Sequence, residues 1–228
     1  MSFDATPCGP ARAGIRTRVD DLVRSTDAAR LDAVCPVTPE WTGRQVLAHL
    51  VGVDADILAG RLDGVGSDAW TAAQVEARAT STVEDLLAEW AEIGPQVEAI
   101  AGAFGDAAGQ WCFDAATHEH DLRVLLDAPG GRDSDAVTLA TDWLLARIAE
   151  RLDAEGRPGL IVTLADAEVS LGTGTPVSTL TVDRFELFRA VCGRRSVAQI
   201  ERWSWSGEPR ADDVVRAPFS PSPHDVVE

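Results

Sequence analysis

The chain contains no lysine, no asparagine and no tyrosine, and only a single methionine. Without lysine there is no amine for a Schiff base, and without tyrosine no phenolic acid, so several catalytic classes are excluded. The three missing residue types share A/T-rich codons, which points to a GC-rich genome. Cysteine is sparse: Cys8, Cys35, Cys112 and Cys192 lie far apart and form no C-x-x-C. That spacing excludes a zinc ribbon or a redox pair and leaves free thiols in the core as the expectation, with a reactive Cys112 as the alternative. No apolar run approaches the roughly eighteen residues a membrane span needs. The N-terminus lacks the basic-then-apolar pattern of a signal peptide, so a cytoplasmic protein is expected.

Positive charge is also scarce. Twenty basic residues, all arginine, face 37 acidic ones, for a net charge of −17. Such a charge repels phosphate backbones and anionic membrane surfaces, so neither nucleic acid nor membrane is expected as a partner. High solubility is the plain consequence.

What the chain does have is helical periodicity. Ile15, Val19, Leu22 and Val23 recur at helical spacing in residues 11–33. Pro36 breaks that pattern, and Thr38 with Pro39 reads as the cap and first turn of a second helix reaching about residue 62. Residues 71–104 read as one helix or two, with a break near Thr80–Thr82 and Ser81 or Thr82 as cap. Further helices are expected over 107–127 and 135–154. The period then changes: "GLIVTLAD", "EVSLG" and "VSTLTVD" read as strands. Asp183 can cap a short helix after them, and "GRRSVAQIERWSW" reads as partly helical. The expected layout is mainly α: a helical bundle over 1–153, a small α/β domain over 154–207, and an extended or disordered proline-rich tail over 208–228.

Chemistry concentrates in "FDAATHEHDLR", residues 113–123, which holds two of the four histidines. On a helix, Trp111, Ala115, His118, Leu122, Leu125 and Leu126 form one stripe. Asp114 and Asp121 then flank His118 at i−4 and i+3. Glu119 and His120 point elsewhere. An inward carboxylate needs a compensating partner. Asp-x-x-x-His is a workable half-site for a divalent metal, and His49, set among Val46, Leu47, Leu50 and Val53, can supply a third ligand across a bundle. Three protein ligands would leave a position open for a small molecule. Two readings compete with this. Asp114 and His118 can form an ordinary ion pair at the bundle edge, and His118, Glu119 and His120 could share a metal if the segment were a loop.

Taken in order, "WTGRQVLAHLVG", "DAATHEHDLR" and "VDRFELFRAVCGRRSVAQI" resemble the mycothiol-dependent maleylpyruvate isomerase family of DinB-like metal-binding bundles. The resemblance spans most of the chain. It implies a DinB-like up-and-down four-helix bundle followed by a small C-terminal α/β domain, in an actinobacterial setting. It implies a divalent metal, zinc first with nickel or another ion as alternatives, held by His49, Asp114 and His118. Asp114 stands where the family often has glutamate. Asp121 matches a family acid near the thiol pocket, where it would orient a ligand, touch the mycothiol cofactor or move a proton. Arg78 would contact an anion. Arg194–Ser196 would bridge to the bundle or form a solvated basic patch. The implied chemistry is a metal-lowered thiol pKa and thiolate attack on a small electrophilic metabolite, by an isomerase or S-transferase acting as monomer or homodimer. The rival expectation is a non-catalytic protein binding a divalent metal or small molecule on the same bundle.

Overall fold

The computed structural model describes residues 3–215 and 219–228, and the chain divides into two compact units, Met1–Gly130 and Gly131–Glu228. The first is built on long helices α1 (Cys8–Arg24), α2 (Gly43–Ala59), α4 (Val83–Ile100) and α5 (Ala107–Leu126), with the short α3 (Asp68–Glu76) packed on α2. Its main contacts run α1 to α4, α4 to α2, α2 to α5 and α5 to α1, so α1 and α2 stand diagonally across a ring of four. Ile15, Val19, Val46, Leu47, Leu50, Leu86, Leu87, Trp90 and Leu122 fill the interior, each almost fully buried.

The cap expected at Thr38 lies elsewhere. Residues Thr38–Thr42 form strand β2, paired antiparallel with β1 (Val34–Cys35), and α2 begins at Gly43. Thr42 is its cap: the Thr42 hydroxyl accepts from the Gln45 amide and the Gln45 side chain accepts from the Thr42 amide. This reciprocal box satisfies two donors, whereas Thr38-Pro39 offers no such partner. Thr82 caps α4 in the same way with Asp85. Pro95 sits inside α4 without ending it.

Close approach, not turn geometry, explains two of the glycines. A Cβ on Gly52 would meet Gln74 Cβ at 2.5 Å, so glycine lets α3 lie directly on α2. A Cβ on Gly9 would meet the Glu98 carbonyl oxygen at 2.4 Å, where α1 presses on α4.

The second unit carries α6 (Asp135–Ala154), a four-stranded sheet and short helices. The sheet order is β4 (Glu168–Leu171), β3 (Leu160–Thr163), β5 (Ser178–Thr181), β6 (Ser204–Ser206). β3 and β5 are parallel, with Leu160 opposite Ser178, and the other pairs are antiparallel. Asp183 caps α7 (Arg184–Val191), accepting from the Phe185 and Glu186 amides. The sequence reading put α6 in the bundle and the divide near residue 153. Instead α6 packs on α7 and β4 and belongs to the second unit, because the ring of four is already closed without it. The segment "GRRSVAQIERWSW", expected to be partly helical, holds α8 (Val197–Glu201) and then runs into the edge strand β6, which was not expected.

The tail also differs from expectation where it is described. Ala211–Val214 form α9. Glu228 accepts from the buried Arg189 and Arg195 at 2.9 and 3.1 Å, and Val226 exchanges two hydrogen bonds with the Gln199 side chain. Pro218, one of the prolines of that tail, lies outside the described residues. Arg195 is neither solvated nor free: it is 1% exposed and also holds Glu186. No helix among the described residues is long and apolar enough to cross a membrane.

The α1–α4 contact yields a first test. Gly9→Ala should lower stability by about 1–3 kcal/mol, because a backbone carbonyl cannot move aside as a flexible side chain can. Gly102→Ala, with nothing within 4 Å of the added Cβ, should change it by less than about 0.5 kcal/mol. Urea unfolding of the two variants makes the comparison, and equal midpoints would contradict the packing described.

Candidate metal centre

α2 brings in His49, and α5 brings in Asp114 and His118 from successive turns. Asp114 Oδ1 lies 3.2 Å from His49 Nε2 and 3.7 Å from His118 Nε2. A ligand atom from each of these three residues falls within 4.8 Å of the others. The imidazoles meet edge to face, centroids 5.0 Å apart at 82°. Trp41, at the end of β2, lies against both rings, 5.1 Å from His49 and 5.6 Å from His118. Both histidines are buried, while the Asp114 side chain keeps 30% of its surface exposed. The site is therefore walled by protein on the histidine side, with Asp114 its most exposed member.

The other ring nitrogens fix the tautomers. His118 Nδ1 lies 3.1 Å from Asp121 Oδ2, and an ionised carboxylate only accepts, so Nδ1 carries the hydrogen. His49 Nδ1 lies 2.8 Å from Gln74 Oε1, whose amide nitrogen in turn donates to Asp56 Oδ2 at 2.9 Å. That chain orients the amide so that its oxygen faces His49, and Nδ1 again is the donor. Both Nε2 atoms then present lone pairs to a carboxylate. With both rings neutral, three acceptors converge with no donor among them, and Asp114 Oδ2 is buried without a hydrogen-bond partner. A cation satisfies all of them at once. Donors around a tetrahedral zinc sit about 3.3–3.4 Å apart at bond lengths of about 2.0–2.1 Å, close to the spacings found. Aspartate's shorter arm, in place of glutamate, still reaches both rings.

The other residues singled out in the sequence sort differently. Asp121 is wholly buried behind His118. That place suits orientation of the ring. Arg78 is not an open anion contact either. Its Nε donates to Glu89 at 3.0 Å, its Nη2 pairs with the same carboxylate, and its Nη1 donates to the Gln74 carbonyl at 3.3 Å. It does line a cleft of about 470 Å³ with Asp56, Arg61, Asp63, Trp70 and Gln74. Glu119 and His120 are buried but stay out of the cluster; Glu119 is clamped by Arg18 and Arg123. The Cys112 thiol is pushed well above its ordinary range by its hydrogen bond to Cys8 and by burial, which disfavours a thiolate there. All four cysteines are buried.

A family described as the mycothiol maleylpyruvate isomerase N-terminal domain matches residues 12–127. The chain belongs to that family. Its matched segment covers α2 through α5 and so contains His49, Asp114 and His118. Two solved structures share the fold of this mycothiol maleylpyruvate isomerase family member. One is a mycothiol-dependent maleylpyruvate isomerase with one histidine replaced by alanine, 10% identical over 82% of this chain and 88% of that one, TM-score 0.57. The other is a mycothiol-dependent maleylpyruvate isomerase, again 10% identical with the same coverage, TM-score 0.52. None of the curated proteins matches. The fold of the family member is thus the expected helical DinB-like domain with a small C-terminal α/β part.

Sequence reasoning missed Trp41 and Gln74. Trp41 carries no ligand atom, although it opens the motif that holds His49. Gln74 is a lone amide in "TAAQVEAR", and only the approach of α3 at Gly52 reveals it.

In the metal-free protein the cluster titrates in a definite direction. Burial lowers the His49 pKa, but the Asp114 charge and the hydrogen bonds to Asp114 and Gln74 outweigh it, raising the pKa above 6.5. Burial raises the Asp114 pKa, but His49 and His118 outweigh it and hold the carboxyl far below its ordinary 3.8. The His49 contribution to stability is full below pH 6.5 and fades as pH rises through its folded value; that of Asp114 is full above pH 3.8 and fades as pH falls. Chelator-treated protein should therefore exceed Asp114→Asn in stability most between those pH values, with the gap closing in alkali. A gap that widens with pH in urea unfolding would contradict the pairing.

Proposed function

We propose that this chain is a divalent-metal enzyme of the mycothiol-dependent type, an isomerase or S-transferase acting on a small electrophilic metabolite. The observation that carries the reading is the convergence of His49 Nε2, His118 Nε2 and Asp114 Oδ1 without a hydrogen-bond donor among them. His49, Asp114 and His118 would hold the ion, with zinc the best match to two imidazoles and one carboxylate. Three protein ligands leave room for a small-molecule ligand, and the exposed edge of Asp114 marks the side from which it enters. A metal held there supplies what the chemistry needs, a thiol deprotonated at neutral pH as the nucleophile for an electrophilic alkene or epoxide.

The protein's own part is positioning and dryness. Asp121 and Gln74 each take an Nδ1 hydrogen, which fixes both Nε2 lone pairs on the ion and raises their basicity. Trp41 shields the pair of rings from water. Family membership and the relatives' mycothiol dependence support the thiol cofactor for this chain.

Elemental analysis should find one metal per chain in the purified protein, lost in His49→Ala and in His118→Ala with helical circular dichroism retained. His120→Ala should keep it. Mycothiol should bind the metal-loaded protein in calorimetry and fail to bind after chelation. Metal binding with no thiol response would leave a non-catalytic metal-binding bundle, and absence of metal from the wild type would remove the reading altogether.

A further inference from the structure

One buried ion pair in the bundle supplies no ligand atom to the cluster just described, although the charge of its arginine is felt by His49 and Asp114. Arg12 of α1 is 1% exposed and donates through Nη2 to Asp54 Oδ1 of α2 at 2.7 Å. The same carboxylate accepts from Trp111 Nε1 of α5 at 2.8 Å and from Trp90 Nε1 of α4 at 2.7 Å. The guanidinium also lies over both indoles, 4.6 Å from the Trp111 ring and 5.8 Å from Trp90. Each long helix of the ring thus sends one polar side chain to a single buried carboxylate.

Stability does not explain this knot. Burying an ion pair is often no better than packing apolar groups of the same volume. Here Arg12 Nε and Nη1 are also buried without hydrogen-bond partners, which makes the arrangement more costly still. What the knot does provide is register. Asp54 lies five residues beyond His49 on α2, about 7.5 Å along the axis, and Trp111 lies three residues before Asp114 on α5, about 4.5 Å. Forward on one helix pairs with backward on the other, so the two run antiparallel and the knot is the next level of contact after the ligand cluster. A slip of α5 by one residue would displace Asp114 by about 1.5 Å. Metal coordination tolerates only about 0.2 Å. Apolar side chains pack in more than one register; a carboxylate that must receive a guanidinium and two indole N–H groups does not.

We propose that Arg12 and Asp54, with the indoles of Trp90 and Trp111, are positioning residues that set the spacing of α2 and α5 and so the geometry of the metal centre. The proposal rests on the reading of His49, Asp114 and His118 as metal ligands.

Cobalt(II) titration of the metal-free full-length chain tests it, read by the d–d absorption of the bound ion and by chelator competition. The variant is Arg12→Met/Asp54→Asn, which removes both charges together and keeps an acceptor for the indoles. It should fold, bind cobalt at least ten-fold more weakly than wild type, and show a shifted d–d band. Arg16→Met/Glu98→Leu removes another pair, between α1 and α4, and should leave affinity and band unchanged. Trp111→Phe, which deletes only the α5 arm of the knot, should shift the band in the same sense and serves if the double variant does not fold. Wild-type affinity and an unshifted band in the folded double variant, or in Trp111→Phe, would overturn the proposal. No cobalt binding by the wild type would overturn the ligand assignment as well, so the two failures are distinguishable.

Discussion

A carboxylate set between two imidazole lone pairs is the constraint from which the rest of the bundle's interior follows. Oδ1 of Asp114 faces Nε2 of both His49 and His118. In the neutral rings neither of these nitrogens carries a hydrogen, because each ring keeps its hydrogen on Nδ1 and donates it to Asp121 or Gln74. In a low-dielectric interior such an arrangement of acceptors is unfavourable unless a positive charge joins it. In the metal-free protein that charge is a proton, which is why His49 holds its hydrogen more tightly than a free imidazole. A divalent ion does the same work with better geometry.

The fold supports this centre through features that look incidental one at a time. The β1–β2 hairpin carries Trp41 over the two rings and ends at the Thr42 cap, which starts α2 at the residue that gives His49 its inward phase. Gly52 lets α3 come close enough for Gln74 to reach His49. α5 is buried around most of its circumference, so its charged residues are all committed: Asp121 to His118, and Glu119 to Arg18 and Arg123. The polar content of the interior is therefore a set of separate networks, and in the metal cluster the group left open is Asp114 Oδ2.

Much of this was legible in the sequence, and the reasons are specific. Period and the flanking breaks placed α5 within a residue, and i−4 and i+3 spacing picked Asp114 and Asp121 as neighbours of His118. Asp183 and Thr82 declared themselves as caps because their partners lie within three residues. The misplacement of the α2 start at Thr38 came from weighing a proline signal above a capping box four residues on. The assignment of α6 to the bundle failed because an amphipathic helix shows that it has a partner and not which one. Arg78 illustrates the same limit: its type suggested an anion contact, but Glu89, eleven residues away, had already claimed it.

Local spacing by itself determined the long helices, three of the four strands of the second unit, and the half-site of Asp114 with His118, since residues within a turn are held at fixed angles by backbone geometry alone. Tertiary structure decided everything that depends on distance between elements. It joined His49 to that half-site across 65 positions of sequence, chose Gln74 and Trp41 to complete it, and closed the ring without α6. Packing of side chains between helices carries that information, and no single helix encodes it.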